Sequence, residues 1–129
     1  MSYQFRILGC GSSGGVPRVG FGWGNCDPMN KKNRRLRCSL LVQRTIKSRK
    51  TTVLIDTGPD VREQLLQAKV TNLDAVLYTH SHADHVHGID DLRTLAYRKK
   101  GKIPVWADKI TQERLLPVSY THLTLPTKA

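Results

Sequence analysis

This sequence predicts an α/β domain, and two observations carry that reading. Residues 38–42 and 51–55 are strand-like apolar runs on either side of a polar turn at 46–50, the pattern of an antiparallel hairpin. Beyond them, helical periodicity alternates with short buried runs. A helix opened by Pro59 and Asp60 precedes a strand at 75–78. A helix running from Val86 precedes a strand at 103–106, and another helix begins at 111–116. A chain of 129 residues, 39% apolar, suits one domain with its own core. No apolar stretch approaches the roughly 20 residues that cross a bilayer.

The loose alternation of residues 3–8 predicts a first strand, and the next stretch, 9–37, shows neither period. A loop of that length in a small domain is usually functional or misassigned. Val61, Leu65, Leu66 and Ala68 form the apolar face of the first helix. Ile89, Leu92, Leu95 and Ala96 form that of the second, which ends on Lys99 and Lys100, where cations suit the helix dipole. Trp23 and Trp106 read as packing residues. The tail 118–127, VSYTHLTLPT, matches the translation of a sequencing-library adapter, so 1–117 is expected to be the native portion and 118–129 a non-native tail, His122 included.

The formal charge is +11, and nine Lys or Arg residues fall between Lys31 and Lys50 with no acid among them. Such a run attracts phosphates or nucleic acid, or is simply a solvated loop and turn. Cys10, Cys26 and Cys38 are odd in number and lack C-x-x-C spacing. Reduced thiols and, with no secretory signal, a cytoplasmic location are therefore expected.

Residues 79–85 read THSHADH, directly after the apolar run 75–78. His80 and His82, two apart, share a face of an extended chain and can address one ion. Asp84 and His85 diverge in an extended chain, but a turn into helix brings both inward to serve a second ion. Imidazole and carboxylate together suit zinc, manganese or iron(II). His87 lies past the pattern and is read as a bystander.

This motif resembles the signature of the metallo-β-lactamase fold superfamily, and the resemblance covers residues 3–117. LGCGSSGGVP (8–17), WGNCDP (23–28), DTGPD (56–60) and HGIDDLR (87–93) are similar to the branch of phosphoribosyl cyclic phosphate phosphodiesterases, the PhnP-like enzymes. The resemblance implies the N-terminal part of an αββα sandwich, a mixed sheet with flanking helices, left incomplete here. It implies two divalent ions, Zn2+ or Mn2+, with His80 and His82 on the first and Asp84 and His85 on the second. Asp84 would also orient a metal-bound hydroxide, and Asp56 would hold the histidine loop in place. The implied activity is hydrolysis of a small (cyclic) phosphodiester. A nuclease of the tRNA 3′-processing type and a thioesterase are the alternatives. A further histidine, a bridging aspartate and a last histidine belong to the later half of such domains and are absent from this sequence, so the chain by itself is expected to be inactive. The cysteine-rich zinc site of the branch is not carried over, because only Cys26 stands in that stretch.

Residues 9–14 spell G-x-G-x-x-G after a strand, yet Pro17 interrupts any helix and no acid follows about 20 positions on, which argues against a dinucleotide site. The glycines are expected to let the backbone pass close to the metal site, with Ser12 and Ser13 as weak candidates for substrate oxygens. Arg34, Arg35 and Arg37 read first as solvent-facing charges and second as candidates for a substrate phosphate. Asp90 and Asp91 receive no role. The expected partner is a small phosphodiester ahead of nucleic acid. No membrane partner is expected, and a homodimeric parent stays open.

Overall fold

The computed structural model describes residues 1–119 and 123–124, with side chains through Pro117. The rest of the expected tail, His122 included, lies outside the described residues. Among the described residues six strands, β1 (Ser2–Gly9), β2 (Ser39–Ile46), β3 (Arg49–Ile55), β4 (Ala75–Leu77), β5 (Ile103–Trp106) and β6 (Leu123–Thr124), lie side by side in chain order. The pairs β1–β2 and β2–β3 are antiparallel, while β3–β4, β4–β5 and β5–β6 are parallel. The sheet is thus mixed, with helices α1 (Val61–Gln67), α2 (Ala83–Val86), α3 (Arg93–Lys99) and α4 (Lys109–Ser119) in the connections.

The predicted hairpin is longer than its apolar runs. Ile46 faces Arg49 across a two-residue turn in which Lys47 takes φ 55°, the left-handed backbone such turns require. Backbone pairing therefore carries the strands into the basic segment, whose side chains stay solvated.

One sheet face is the core. Leu41, Leu54, Val76 and Val105 are almost wholly buried and cluster with Val61 and Leu65 of α1, and with Ile89, Leu92, Ala96 and Leu115. Burying each of the valine, leucine and isoleucine side chains is worth about 1.5–3 kcal/mol. Residues on the opposite face, in β1, β4 and β5, are open to solvent: Phe5 at 66%, Ile7 at 71%, Leu77 at 38% and Trp106 at 49%. Trp106 is therefore not a packing residue. It pairs with Leu77 on the uncovered face, where strand alternation places it. Trp23 is only half-buried.

Helix α1 departs from its predicted face in one position. Leu66 is exposed, and Gln64 is buried in its stead, donating through Nε2 to the Arg37 carbonyl at 2.8 Å. In so short a helix residues 61, 64 and 65 make up the inward stripe, and Leu66 falls outside it.

The single helix expected from Val86 is broken. After α2 the chain makes a 3-10 turn at Ile89–Leu92 before α3 begins. Gly88 lies at the break: its N–H donates to the Thr57 carbonyl at 2.9 Å, and a Cβ there would collide with the Gly58 carbonyl oxygen. Close backbone contact, not periodicity, decides this segment.

The segment 9–37 is not structureless. It folds back on residues 35–37 through bonds from Gly11 N to Leu36 O (2.7 Å) and between Val16 and Arg35 in both directions (3.0 and 2.8 Å). Helix α4 starts two residues before the expected 111 and extends to Ser119. It is capped by Asp108, which accepts from Thr111 N at 2.8 Å, and the Thr111 bonds hold that carboxyl below its ordinary pKa. Among the described residues no helix is long and apolar enough to cross a membrane.

Candidate metal centre

Strands β3 and β4 are parallel, so their C-terminal ends open on the same edge of the sheet, with Ile55 opposite Leu77. The segments that follow, from Asp56 and from Tyr78, emerge side by side. Asp56 is buried in the left-handed region at φ 67°, a conformation Asp tolerates better than most residues. Its N–H donates to Leu77 O at 2.9 Å, and its carbonyl accepts from Ser39 Oγ at 3.0 Å. So held, its carboxylate accepts from Thr79 N (2.8 Å), Thr79 Oγ1 (2.6 Å) and His85 Nδ1 (2.7 Å).

Thr57 clasps the same loop further along. Its N–H donates to His85 O at 2.8 Å, its carbonyl accepts from Gly88 N, and its hydroxyl shares a 2.7 Å hydrogen bond with the Tyr78 hydroxyl. Burial pushes the Tyr78 phenol well above its ordinary pKa, so it is a neutral structural group. Gly58 lies against the Asp84 carbonyl too closely for a side chain. Residues 56–58 thus form the bed on which 79–88 rests.

That bed gathers the histidines. The ring of His80 lies 4.5 Å from that of His82 and 4.2 Å from that of His85, centroid to centroid. His85 Nε2 stands 3.2 Å from Asp84 Oδ2. With its Nδ1 proton donated to Asp56, a neutral His85 presents a lone pair to that carboxylate oxygen, and the two atoms can share a cation. Two donors held tetrahedrally at about 2.0–2.1 Å stand about 3.3 Å apart, close to this spacing. The donor types and their proximity fit a divalent transition metal. Among the described residues, however, no three His, Cys, Asp or Glu side chains are already arranged around one point, so the donors are gathered rather than preset. His87 is exposed, and Asp90 faces Arg93 at 3.5 Å on the surface.

The basic candidates divide. Arg37 is committed to Asp60, with its N–H and Nη2 donating at 2.8 and 3.1 Å, and Nε 2.7 Å away but off the hydrogen-bond line. That pairing removes it from the free phosphate-binding candidates. Arg34 and Arg35, with Lys31 and Cys10, line an open cleft of about 800 Å³, and Arg35 Nη1 lies 3.6 Å from Cys10 Sγ. The glycines of 9–15 serve a different contact from the one expected. A Cβ on Gly9 would strike the Arg37 carbonyl; Gly9, Gly11 and Gly15 lie against residues 35–37 and Gly14 against Arg18, none of them against the histidines. Ser12 and Ser13 are exposed on that loop. All three cysteines are free and exposed.

Sequence reasoning missed Thr79, Thr57 and Tyr78. Thr79 and Thr57 had a signal, since one opens the histidine motif and the other stands in DTGPD; nothing in the spacing marks Tyr78.

Residues 51–121, more than half of the chain, match the family described as the beta-lactamase superfamily domain. The chain belongs to that superfamily. The crystal structure of a diphosphatase from the PhnP family is similar over 100% of the chain, with 34% identity and a TM-score of 0.82, and the chain covers 51% of it. Zn2+-bound PqqB from Methylobacterium extorquens shares the fold, with 20% identity and a TM-score of 0.67 over 99% of the chain and 46% of that protein. An octanoyltransferase of Porphyromonas gingivalis (strain ATCC BAA-308 / W83) is 43% identical over 103 residues, 80% of this chain and 20% of the relative. The chain therefore spans about a fifth of that curated relative and about half of each of these solved structures. The superfamily resemblance drawn from residues 79–85 and the mixed α/β architecture hold, and a PhnP-family structure is among those the chain is similar to.

Proposed function

We propose that this chain supplies one part of a divalent-metal hydrolase site that cleaves a phosphorus–oxygen bond in a small phosphodiester. His80 and His82 would hold one Zn2+ or Mn2+ ion, and Asp84 and His85 a second. The observation that carries this reading is the gathering of three imidazoles and a carboxylate on one strand edge by the Asp56 carboxylate, in a chain of this superfamily. A divalent ion in such a site is a Lewis acid that polarises a phosphoryl oxygen and acidifies water. The chain's own residues do the rest. Asp84 would orient the water, Asp56 keeps Nδ1 of His85 protonated so that Nε2 faces the site, and Thr57 fixes the loop's distance from β3.

The solved relative at 34% identity is named a diphosphatase, which makes a small organic diphosphate the second reading. The test uses the full-length protein with Mn2+ against a bis-aryl phosphodiester, an organic diphosphate and a thioester. Turnover of the phosphodiester that His82→Ala abolishes is expected. Turnover of the diphosphate alone would replace the first reading with the second, and activity on the thioester alone would overturn both.

A further inference from the structure

We infer that Thr79 is a positioning residue that sets the tautomer of His80, so that one carboxylate, Asp56, orients two imidazoles at once. An ionised carboxylate only accepts hydrogen bonds, and a threonine hydroxyl has one proton to give. Thr79 Oγ1 lies 2.6 Å from Asp56 Oδ2, so its proton is spent there. The same oxygen lies 2.9 Å from His80 Nδ1 and has only lone pairs left to offer. That contact is satisfied only if His80 carries a proton on Nδ1 and donates it. A neutral His80 therefore bears its free lone pair on Nε2, the ring atom remote from the backbone.

His85 receives the same instruction directly, through the 2.7 Å bond from its Nδ1 to Asp56 Oδ2. The Thr79 N–H, donating to Asp56 Oδ1 at 2.8 Å, fixes the hydroxyl's own backbone against the carboxylate. The relay from Asp56 through Thr79 to His80 thus presents a second imidazole nitrogen without a second carboxylate. Valine at 79 is nearly the same shape but has no hydroxyl, and would leave His80 Nδ1 without its acceptor. Serine keeps the relay.

The purpose of the relay rests on the metal-centre reading above, but the tautomer is measurable without metal. The experiment records long-range proton–nitrogen correlations of ¹⁵N-histidine-labelled full chain, metal-free, at about pH 8, where imidazoles of ordinary pKa are neutral. Wild type, Thr79→Val and Thr79→Ser are compared, with Zn2+ affinity measured by chelator competition. The wild-type spectrum should show His80 protonated at Nδ1 and bare at Nε2. T79V should lose that preference and weaken Zn2+ binding by about 10–100-fold, the usual cost of removing such an outer partner. T79S should keep both. His80 protonated on Nε2 in the wild type overturns the inference whatever the variants do, as does a T79V protein with unchanged tautomer and affinity, or a loss that T79S shares. If the tautomer pattern holds but the wild type binds no Zn2+, the relay stands and the metal-centre reading alone fails.

Discussion

Removing the Asp56 carboxylate should loosen the whole histidine loop, and the cost can be worked from its bonds. Asp56 is 3% exposed and accepts from Thr79 N, Thr79 Oγ1 and His85 Nδ1. In Asp56→Ala the hydroxyl can turn to water, whereas the Thr79 amide and the His85 Nδ1–H lose their acceptor in a part-buried setting. An orphaned donor costs about 1–3 kcal/mol, and the low end suits groups near solvent. Alanine also fits φ 67° less well than aspartate, adding about 1 kcal/mol. The total is about 3 kcal/mol, which for a chain of this length lowers Tm by about 12 °C. Asp56→Asn, which keeps the shape but aims an NH2 at a donor, should lose about half as much. Urea unfolding followed by circular dichroism, with thermal melts, measures both. A D56A protein within about 0.5 kcal/mol of wild type would refute the idea that this carboxylate is what holds residues 79–85.

Three further outcomes are expected. Tyr78 is buried, so its folded pKa lies above that of the unfolded phenol, about 10; its contribution is complete below pH ~10 and fades as pH rises further, when only the unfolded chain gives up the proton. Urea unfolding between about pH 9 and 11.5 should therefore show a fall in stability that is flatter in Tyr78→Phe. The exposed face bearing Phe5 and Ile7 should drive self-association of the 129-residue chain, and the double change Phe5→Lys, Ile7→Lys should shift sedimentation toward monomer. The isolated chain should bind Zn2+ weakly and turn over no phosphodiester; metal-dependent turnover by it, abolished in His82→Ala, would contradict the view that its donors need others beside them.

Where local pattern and tertiary demand agreed, the sequence was readable. Strand β1 follows its loose apolar alternation, the hairpin follows its two apolar runs, and the run before THSHADH is β4. The misreadings came where contact overrode period. Gly88 presses on Gly58 and splits a helix whose apolar spacing runs on unbroken. Gln64 goes inside because the Arg37 carbonyl is there to receive it. Arg37 looked free among its basic neighbours until Asp60, 23 positions away, was seen to hold it. At the centre, the metal-type donors announce themselves by their spacing. The groups that aim them, Thr79 and Thr57, are ordinary residues whose task exists only once two strand ends are brought together.

That meeting of strand ends has one more consequence. Asp56 and Thr79 lie on different strands' exits, and their separation is set by the pairing of Ile55 with Leu77. Sliding one strand past the other by a single residue would shift them by about 3.3 Å, more than the whole length of the bonds between them. The backbone ladder acts as the ruler for the imidazoles. Whatever shears β3 against β4 disarms the cluster before any histidine is touched.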